Sequence, residues 1–491
     1  MKKFTASIFL LAIFLFALFL RLFFAFQSPE FSYDSYFVLR QVEHIKETGR
    51  PIFSDSLSFG GRVFIFPPLF YYILSLFSFV FSVEYVVKIL PNVFYSLSIF
   101  AVYLLSFHIT KKRVISLLAA FSSAFIPIYF LNLNNVSVYS LVLPLFLFII
   151  YCVLKSEDKN YLNLSLFLLI LLVLTHSSSF FLIFGFLLFL FFLKVEGLVI
   201  EDREIEIILF STFLIFWFNF VLFKQALFVH GPFVIWQNIP LQILKNFFSE
   251  FNILEVIYYL GFIPLIFGFY AVFHVFSQIK KKSVFMIVGF VTSSLILLWL
   301  KLIRFRLGLI FLGVMLVLLA AYSWKLFYSY LRKTKVPKNA NVFLIIVFIL
   351  FIISSFIPAI SLANNSSKLV PSDEEINALL WIEENTPKDA VILSRPEEGH
   401  LITYFAKRKN VLDSNYLLIT DADQRFMDVN MIYKVRFKIE VVRKLNKYDV
   451  DYIYFSSKFG PETKLFYADS SDCFTLVYNS SIKVYEVHCE I

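Results

Sequence analysis

The sequence predicts a polytopic α-helical membrane domain over residues 1–361, with about eleven transmembrane helices, followed by a soluble extracytoplasmic α/β domain over 362–491. Three observations lead there. The first is composition: 59% of the 491 residues are hydrophobic, 16% are charged, and mean hydropathy is +0.78. Soluble domains lie near 45–50% apolar and about 25% charged, and disordered chains have the opposite balance, so both classes are excluded. The second is a series of apolar runs, each close to the roughly 20 residues that cross about 30 Å of hydrocarbon. The third is a change of character after Ser361, where charged residues, Pro, Asn and Ser return.

The elements follow in chain order. After Lys2 and Lys3, residues 4–26 form the first run. It is longer than a secretory signal core and lacks a small-residue cleavage site, so it reads as a permanent helix with a cytoplasmic N-terminus. Further runs fall near 89–110, 114–131, 138–154, 160–177, 178–194, 207–224, 253–276, 284–301, 303–322 and 342–360. Short cytoplasmic loops are rich in Lys and Arg. Along this alternation the basic residues collect at Lys111, Lys112 and Arg113, at Lys155 and Lys159, at Lys280, Lys281 and Lys282, and at Arg332, Lys333, Lys335 and Lys338. The loops after 131, 177 and 224 carry far fewer, which predicts a multi-pass protein of the cell membrane, N-terminus inside and C-terminal domain outside. The net charge of +9, from 44 Lys and Arg against 35 Asp and Glu, thus belongs to orientation and not to nucleic acid. The run 67–82 would spoil the alternation if it spanned. It is also short, so it reads as an interfacial or re-entrant helix within a large outer loop, 27–88.

In the second domain, Ser372 with Glu375 three residues on makes a capping-box helix start, and Ile376, Leu379 and Leu380 mark one apolar face. Segments 390–394, 451–455, 473–478 and 482–487 read as strands, the last two joined by a turn at Asn479, Ser480 and Ser481. Cys473 and Cys489 flank that hairpin; a disulfide on an oxidising face and two free thiols both fit the sequence. Cys152, inside a predicted span, reads as a small apolar residue.

Function has to come from the few polar residues at the membrane boundary. Asp34 lies just past the first helix, between Tyr33 and Tyr36, with no local partner. Arg40, Glu43 and Glu47 follow at helical spacing, which predicts an Arg40 pair with Glu43 or Glu47. Arg21, still within the first span, would cost about 2.5–3.5 kcal/mol at a bilayer centre. It reads either as an interfacial anchor or as a cation near Asp34 or a bound phosphate. Arg304 and Arg306 stand at the outer end of a helix, where a guanidinium fork suits phosphate oxygens and snorkelling is the plain alternative. His44, His176 and His230 lack zinc-site spacing, and the sequons at Asn364, Asn365 and Asn479 are of a kind common by chance. No phosphate-binding Gly-rich loop is present, so nothing points to ATP-driven transport or a nucleotide-sugar enzyme.

The first loop resembles the catalytic subunit of oligosaccharyltransferase and, more broadly, the GT-C superfamily of membrane glycosyltransferases. Those enzymes carry an Asp early in a long first external loop, then a helix with an Arg, a Gly-rich stretch and Pro-Pro before an interfacial helix. Asp34, Arg40, Gly49, Gly60, Gly61, Pro67 and Pro68 stand in that order here. The Arg304-Phe305 pair resembles the site where oligosaccharyltransferases hold the phosphates of a lipid-linked sugar. The stretch from Trp381 through the Asn-Thr-Pro turn at 385–387 to Asp413 is similar to archaeal-type members around their WWDYG motif.

That resemblance implies a GT-C-like fold and transfer of a sugar or oligosaccharide from a polyprenyl, dolichyl-type, phosphate or diphosphate carrier. The acceptor would be a protein or a glycan at the outer face, and membrane lipids would surround the rest. Asp34 would be the general base or the ligand of a divalent cation, Mg or Mn. Arg304, or Arg306 as the alternate, would hold the carrier phosphate, with Arg21 or Arg40 assisting. Glu250 would contact acceptor or metal. Two departures stand out. Arg395, Pro396, Glu397, Glu398 and Gly399 occupy the WWDYG place, keeping only the Gly and an acid at the Asp position. The second acidic motif is missing, since 132–144 has no carboxylate, and a tight cation site would need Asn134, Asn135, Glu250 or substrate phosphates. Outside this class, the rival is a non-catalytic scaffold or assembly subunit of a surface-glycan pathway.

Overall fold

The computed structural model describes residues 3–248, 252–277, 280–334, 339–460, 462, 464–468 and 472–489; Glu250, Lys335 and Lys338 lie outside these. The first part is helical: α1 (Lys3–Ala25), α2 (Ser35–Thr48), α3 (Leu69–Ser78), α4 (Val83–Thr110), α5 (Arg113–Ala124), α6 (Tyr139–Val153), α7 (Lys159–Thr175), α8 (Phe180–Val195) and α9 (Asp202–His230). It continues with α10 (Leu241–Phe248), α11 (Ile253–Leu260), α12 (Phe262–Ser277), α13 (Lys282–Trp299), α14 (Phe305–Leu331), α15 (Asn339–Phe351) and α16 (Ile357–Ser366). Among the described residues, seven helical stretches are long and apolar enough to cross a membrane, and up to eight if α11 and α12 count as one broken span. The helices α5, α6 and α7 are shorter, at 12, 15 and 17 residues, and stand where further spans are predicted. The helix α14 is the most enclosed, with Tyr322 and Trp324 among the largest fully buried side chains.

Two predicted spans are not straight. The run 114–131 is cut after Ala124, because Pro127 drives Ile126 into an extended conformation (φ −67°, ψ 122°) and a short 3-10 turn, Pro127–Phe130, follows. The run 253–276 bends by 98° between α11 and α12. Gly261 sits at the break with φ +84°, and a Cβ there would lie 2.0 Å from Ser355 Oγ. In contrast, 67–82 yields only the 10-residue α3, too short to span and packed on α2 and α4.

Beyond α16, α17 (Asp373–Asn385) starts at the expected capping box: Ser372 Oγ accepts the Glu375 amide at 3.3 Å and the Glu375 carboxylate accepts the Ser372 amide at 2.8 Å. With β1 (Ser54–Asp55) and β2 (Arg62–Val63) forming a small antiparallel pair in the first loop, the remaining strands are β3 (Val391–Leu393), β4 (Lys409–Asn410), β5 (Tyr452–Phe455), β6 (Phe474–Asn479) and β7 (Lys483–Val487). They make one sheet of order β4-β3-β5-β7-β6, parallel from β4 to β5 and antiparallel from β5 to β6. All four residues of β5 are buried, as befits a central strand covered on both faces. Cys473 and Cys489 are disulfide-bonded across the β6–β7 hairpin, Cα atoms 4.9 Å apart.

The sheet unit is fastened to the first loop by polar bonds. Ser58 Oγ donates to Asp413 at 2.6 Å, the Phe59 amide to Asn410 Oδ1 at 2.7 Å, and the Asn410 amide to the Leu57 carbonyl at 2.9 Å. Arg62 reaches the carbonyls of Asn415 and Leu417, and Tyr404 donates to Glu43 at 2.7 Å. These bonds place loop 27–88 and the sheet unit at one end of the helical bundle.

Candidate active site

Asp34 begins α2 with a helical backbone and no capping bond to the helix, so its side chain is released from the chain that carries it. Its neighbours are anchored elsewhere. Tyr33 Oη donates to the buried Glu375 at 2.8 Å, and Tyr36 Oη donates to Glu30. The flanking rings are buried while Asp34 stays exposed. Its carboxylate then accepts Ser414 Oγ at 2.7 Å, a bond that joins first loop to sheet unit.

Around this carboxylate lie three segments. The second loop comes first: the Ser32 amide donates to the Asn134 carbonyl at 3.1 Å, and Ser35 Oγ accepts the Val136 amide at 2.9 Å. Asn134 is buried, and neither atom of its side-chain amide has a hydrogen-bond partner. The second segment is 396–400, held against 410–415 by Asn410 Nδ2 donating to the Gly399 carbonyl at 2.9 Å. Gly399 is required there, because a Cβ would meet the Leu412 carbonyl oxygen at 2.2 Å. This close approach brings Glu397 within the field of Asp34. The surrounding protein raises the Glu397 carboxyl above its ordinary value and the Asp34 charge raises it further, Arg395 pulling the other way. The third segment carries Tyr416, buried with an unpartnered hydroxyl; burial raises it, and the charges of Glu397, Asp413, Asp34 and Arg304 all reach it.

Arg304 supplies the opposite charge. It caps α14 with an extended backbone (φ −60°, ψ 140°) and an exposed side chain. Its field reaches Tyr139 at the start of α6 and His176 at the end of α7, as well as Tyr416. His176 packs edge-on to Tyr139, ring centres 4.9 Å apart, and its Nδ1 accepts the Ser178 amide at 2.9 Å. A neutral ring so bonded carries its proton on Nε2. The stretch after α9 bridges the two sides: Trp236 Nε1 donates to the Lys301 carbonyl at 2.8 Å, and Asn238 Nδ2 to the carbonyls of Tyr416 and Ile419 at 3.1 and 2.7 Å.

The other expected residues lie apart from this cluster or are otherwise engaged. Arg40 pairs not with Glu43 or Glu47 but with Asp55, through two bonds of 2.6 and 2.7 Å. A loop partner can meet the guanidinium fork in plane, which a neighbour on the same helix cannot match. Arg21 is buried, donating to Asn92 Oδ1 at 3.1 Å and to the Tyr129 carbonyl at 3.0 Å between the rings of Tyr95 and Phe130. Arg306 is exposed and its charge reaches Tyr259 of α11. Arg395 is pinned to Glu462 at 2.5 Å over the Tyr433 ring, so the WWDYG place here is built of charged and not stacked aromatic groups. Tyr416 and Ser414 were not legible as candidates, their types being common, and His176 was set aside for lack of zinc-site spacing; the fold brings Ser414 to Asp34 and puts Tyr416 and His176 within reach of the Arg304 charge.

The resemblance implies a divalent cation at Asp34. Mg takes six oxygens, commonly one or two from carboxylates and the rest from water and substrate phosphate. Among the described residues no three His, Cys, Asp or Glu side chains converge, and Asp34 already accepts a serine hydroxyl. Among the described residues the protein itself would supply only a minority of such an ion's oxygens, through Asp34, and Glu250 lies outside them.

No family model matches the sequence, and no curated protein is similar to it in sequence. Solved structures are similar in fold. The oligosaccharyltransferase of Archaeoglobus fulgidus, tethered with an acceptor peptide containing the NVT sequon, superimposes with a TM-score of 0.71 at 16% identity, covering 93% of this chain and 69% of that one. That oligosaccharyltransferase has also been solved with zinc and sulfate, and the archaeal oligosaccharyltransferase AglB from the same organism, in complex with an inhibitory peptide and a dolichol-phosphate, gives 0.70 at 16% identity over 92% and 70%. ArnT from Cupriavidus metallidurans bound to undecaprenyl phosphate gives 0.55 at 12% identity over 99% and 98%. The chain therefore has the GT-C fold: apolar helices that mark a membrane protein, followed by a small sheet unit.

Proposed function

We propose that this protein is a membrane glycosyltransferase that moves a sugar or oligosaccharide from a polyprenyl phosphate or diphosphate carrier to a protein or glycan acceptor at the outer membrane face. The observation that carries this reading is that the acidic Asp34 and Glu397 and the cationic Arg304 all lie close enough to Tyr416 for their charges to reach it. The similar folds add to it, since those proteins have been solved with dolichol-phosphate and undecaprenyl phosphate.

The chemistry follows from these charges. An acceptor hydroxyl or amide attacks the anomeric carbon, and the bond from that carbon to the carrier phosphate breaks. The acceptor proton passes to Asp34, whose carboxylate is free of its own helix, while the electron pair leaves with the phosphate. Negative charge growing on the phosphate is stabilised by Arg304. An apolar groove of about 310 Å³ between α8 and α13, lined by Phe184, Leu187, Phe191, Ile296 and Leu297, suits the isoprenoid tail. The start of α8 and the end of α13 lie on the same side as His176 and Arg304, so a lipid lying there presents its phosphate to the cationic side. The basic loops at the far end support this end as the outer one.

The test replaces the two central charges in cells. Asp34→Asn should reduce transfer by roughly 10²–10⁴-fold, with loss of surface glycans and accumulation of the lipid-linked donor detected by mass spectrometry. Arg304→Ala should give the same accumulation. Unchanged glycans in both variants would overturn the reading and leave a non-catalytic scaffold in its place.

A further inference from the structure

The end of the bundle opposite Asp34 gathers lysines that the proposed transfer reaction does not use. On α14, Lys325 stands about 32 Å from Arg304 by helical rise, close to the thickness of the hydrocarbon core. Facing it are Lys111 and Lys112, in the tight turn between α4 and α5, and Lys281, the residue before α13. The charges of Lys112 and Lys111 reach Lys325, and those of Lys325 and Lys111 reach Lys281. Lys155, after α6, joins the same field beside His108, where Lys111 and Lys281 are also felt.

Orientation alone does not require this. The bias of cytoplasmic loops toward Lys and Arg is satisfied by charges spread along loops. Here they converge from four separate chain segments, and Lys325 projects from within a helix. Their neighbours show the contrast. Lys280 pairs with Glu196 at 3.5 Å, and Lys282 with Glu201 and Glu204 at 3.0 and 2.7 Å. Among the described residues, no carboxylate pairs with Lys111, Lys112, Lys281 or Lys325; Lys281 Nζ donates only to the Ile109 carbonyl, at the C-terminal end of α4. Lys281 and Lys325 are also half-buried, and burial with the nearby lysines lowers Lys281 to about 8. Two half-buried lysines and two exposed ones, converging without a carboxylate partner at a helix boundary, match the basic pockets that take lipid head groups between membrane helices.

We propose that Lys111, Lys112, Lys281 and Lys325, with Lys155 at the rim, form a binding site for the phosphate headgroup of an anionic membrane lipid. The site is independent of the transfer reaction. It is tested with the purified full chain reconstituted in phosphatidylcholine vesicles with or without phosphatidylglycerol, reading co-purifying lipid by native mass spectrometry. Wild type should retain phosphatidylglycerol over phosphatidylcholine, and Lys281→Gln with Lys325→Gln should reduce that retention by roughly tenfold. Lys280→Gln with Lys282→Gln should leave it unchanged, and Lys281→Arg with Lys325→Arg should restore it, which separates charge from folding. Equal retention of both lipids, equal loss in the two Gln pairs, or displacement by inorganic phosphate at matched concentration would overturn the proposal.

Discussion

Arg40 is held by Asp55 through both terminal nitrogens, and Asp55 is only 2% exposed, so the pair fixes the β1–β2 loop against α2. Burial alone would raise the Asp55 carboxyl; the Arg40 bonds and charge, with the Leu57 and Ser58 amides, more than offset this and hold it below its ordinary value. A depressed carboxyl contributes stability above its unfolded value and loses it as pH falls through the folded one. Arg40→Ala leaves a buried carboxylate alone and is expected to cost about 3 kcal/mol. Arg40→Lys keeps charge but not the fork and should cost less. Thermal melting of the detergent-solubilised protein checks both, and an unchanged midpoint in Arg40→Ala would remove the pair from the loop's support. The same residue shows what the sequence could not tell. Helical spacing pointed to Glu43 and Glu47, and a partner fifteen positions away across a loop leaves no periodic trace. Asp34 stood out in the sequence as a candidate because it lacked any local partner, whereas Glu397 and Tyr416 acquire their setting only when 396–400 packs on 410–416.

Elements were read well where length and period decided them. The β6–β7 hairpin, β3, β5 and the α17 start stand where alternation and capping chemistry put them, and α3 stops short of spanning. The bend at residue 261 was not legible, since a Gly among Leu, Ile and Phe leaves hydropathy nearly unchanged. Gly261 turns α11 into α12 with φ +84°, and a Cβ would lie 2.0 Å from Ser355 Oγ in the π-helical segment that joins α15 to α16. Gly261→Ala is therefore expected to destabilise by about 1–3 kcal/mol through overpacking and backbone strain. Adding Ser355→Gly should recover the steric part and leave the strain. If the double variant melts no higher than Gly261→Ala alone, the clash with Ser355 is not what fixes the bend.

At the scale of the whole molecule, the joint between first loop and sheet unit carries a buried charge network next to Asp34 and Glu397. Tyr33, next to Asp34, donates to Glu375; Lys458 reaches the same carboxylate at 3.2 Å; Glu398, next to Glu397, is fully buried and accepts the Arg395 amide at 3.1 Å. Burial raises the Glu398 carboxyl to about 8 and Glu375 adds to it, while the Arg395 amide and guanidinium pull it down. One Glu398 oxygen has no hydrogen-bond partner, which fits a group kept neutral in the fold. A carboxyl raised by folding is protonated in the folded state and ionised in the unfolded one between its ordinary value and about 8. Unfolding then releases a proton, so stability falls as pH rises across that window and levels off above it. The melting midpoint of the purified protein should decline from about pH 4.5 to 8, and Glu398→Gln, neutral at every pH, should remove that part of the slope. Because Glu398 adjoins Glu397, the wild type should also lose transfer activity near the upper end of the window, and Glu398→Gln should keep it. Parallel pH slopes in wild type and Glu398→Gln would show that Glu398 does not govern the joint.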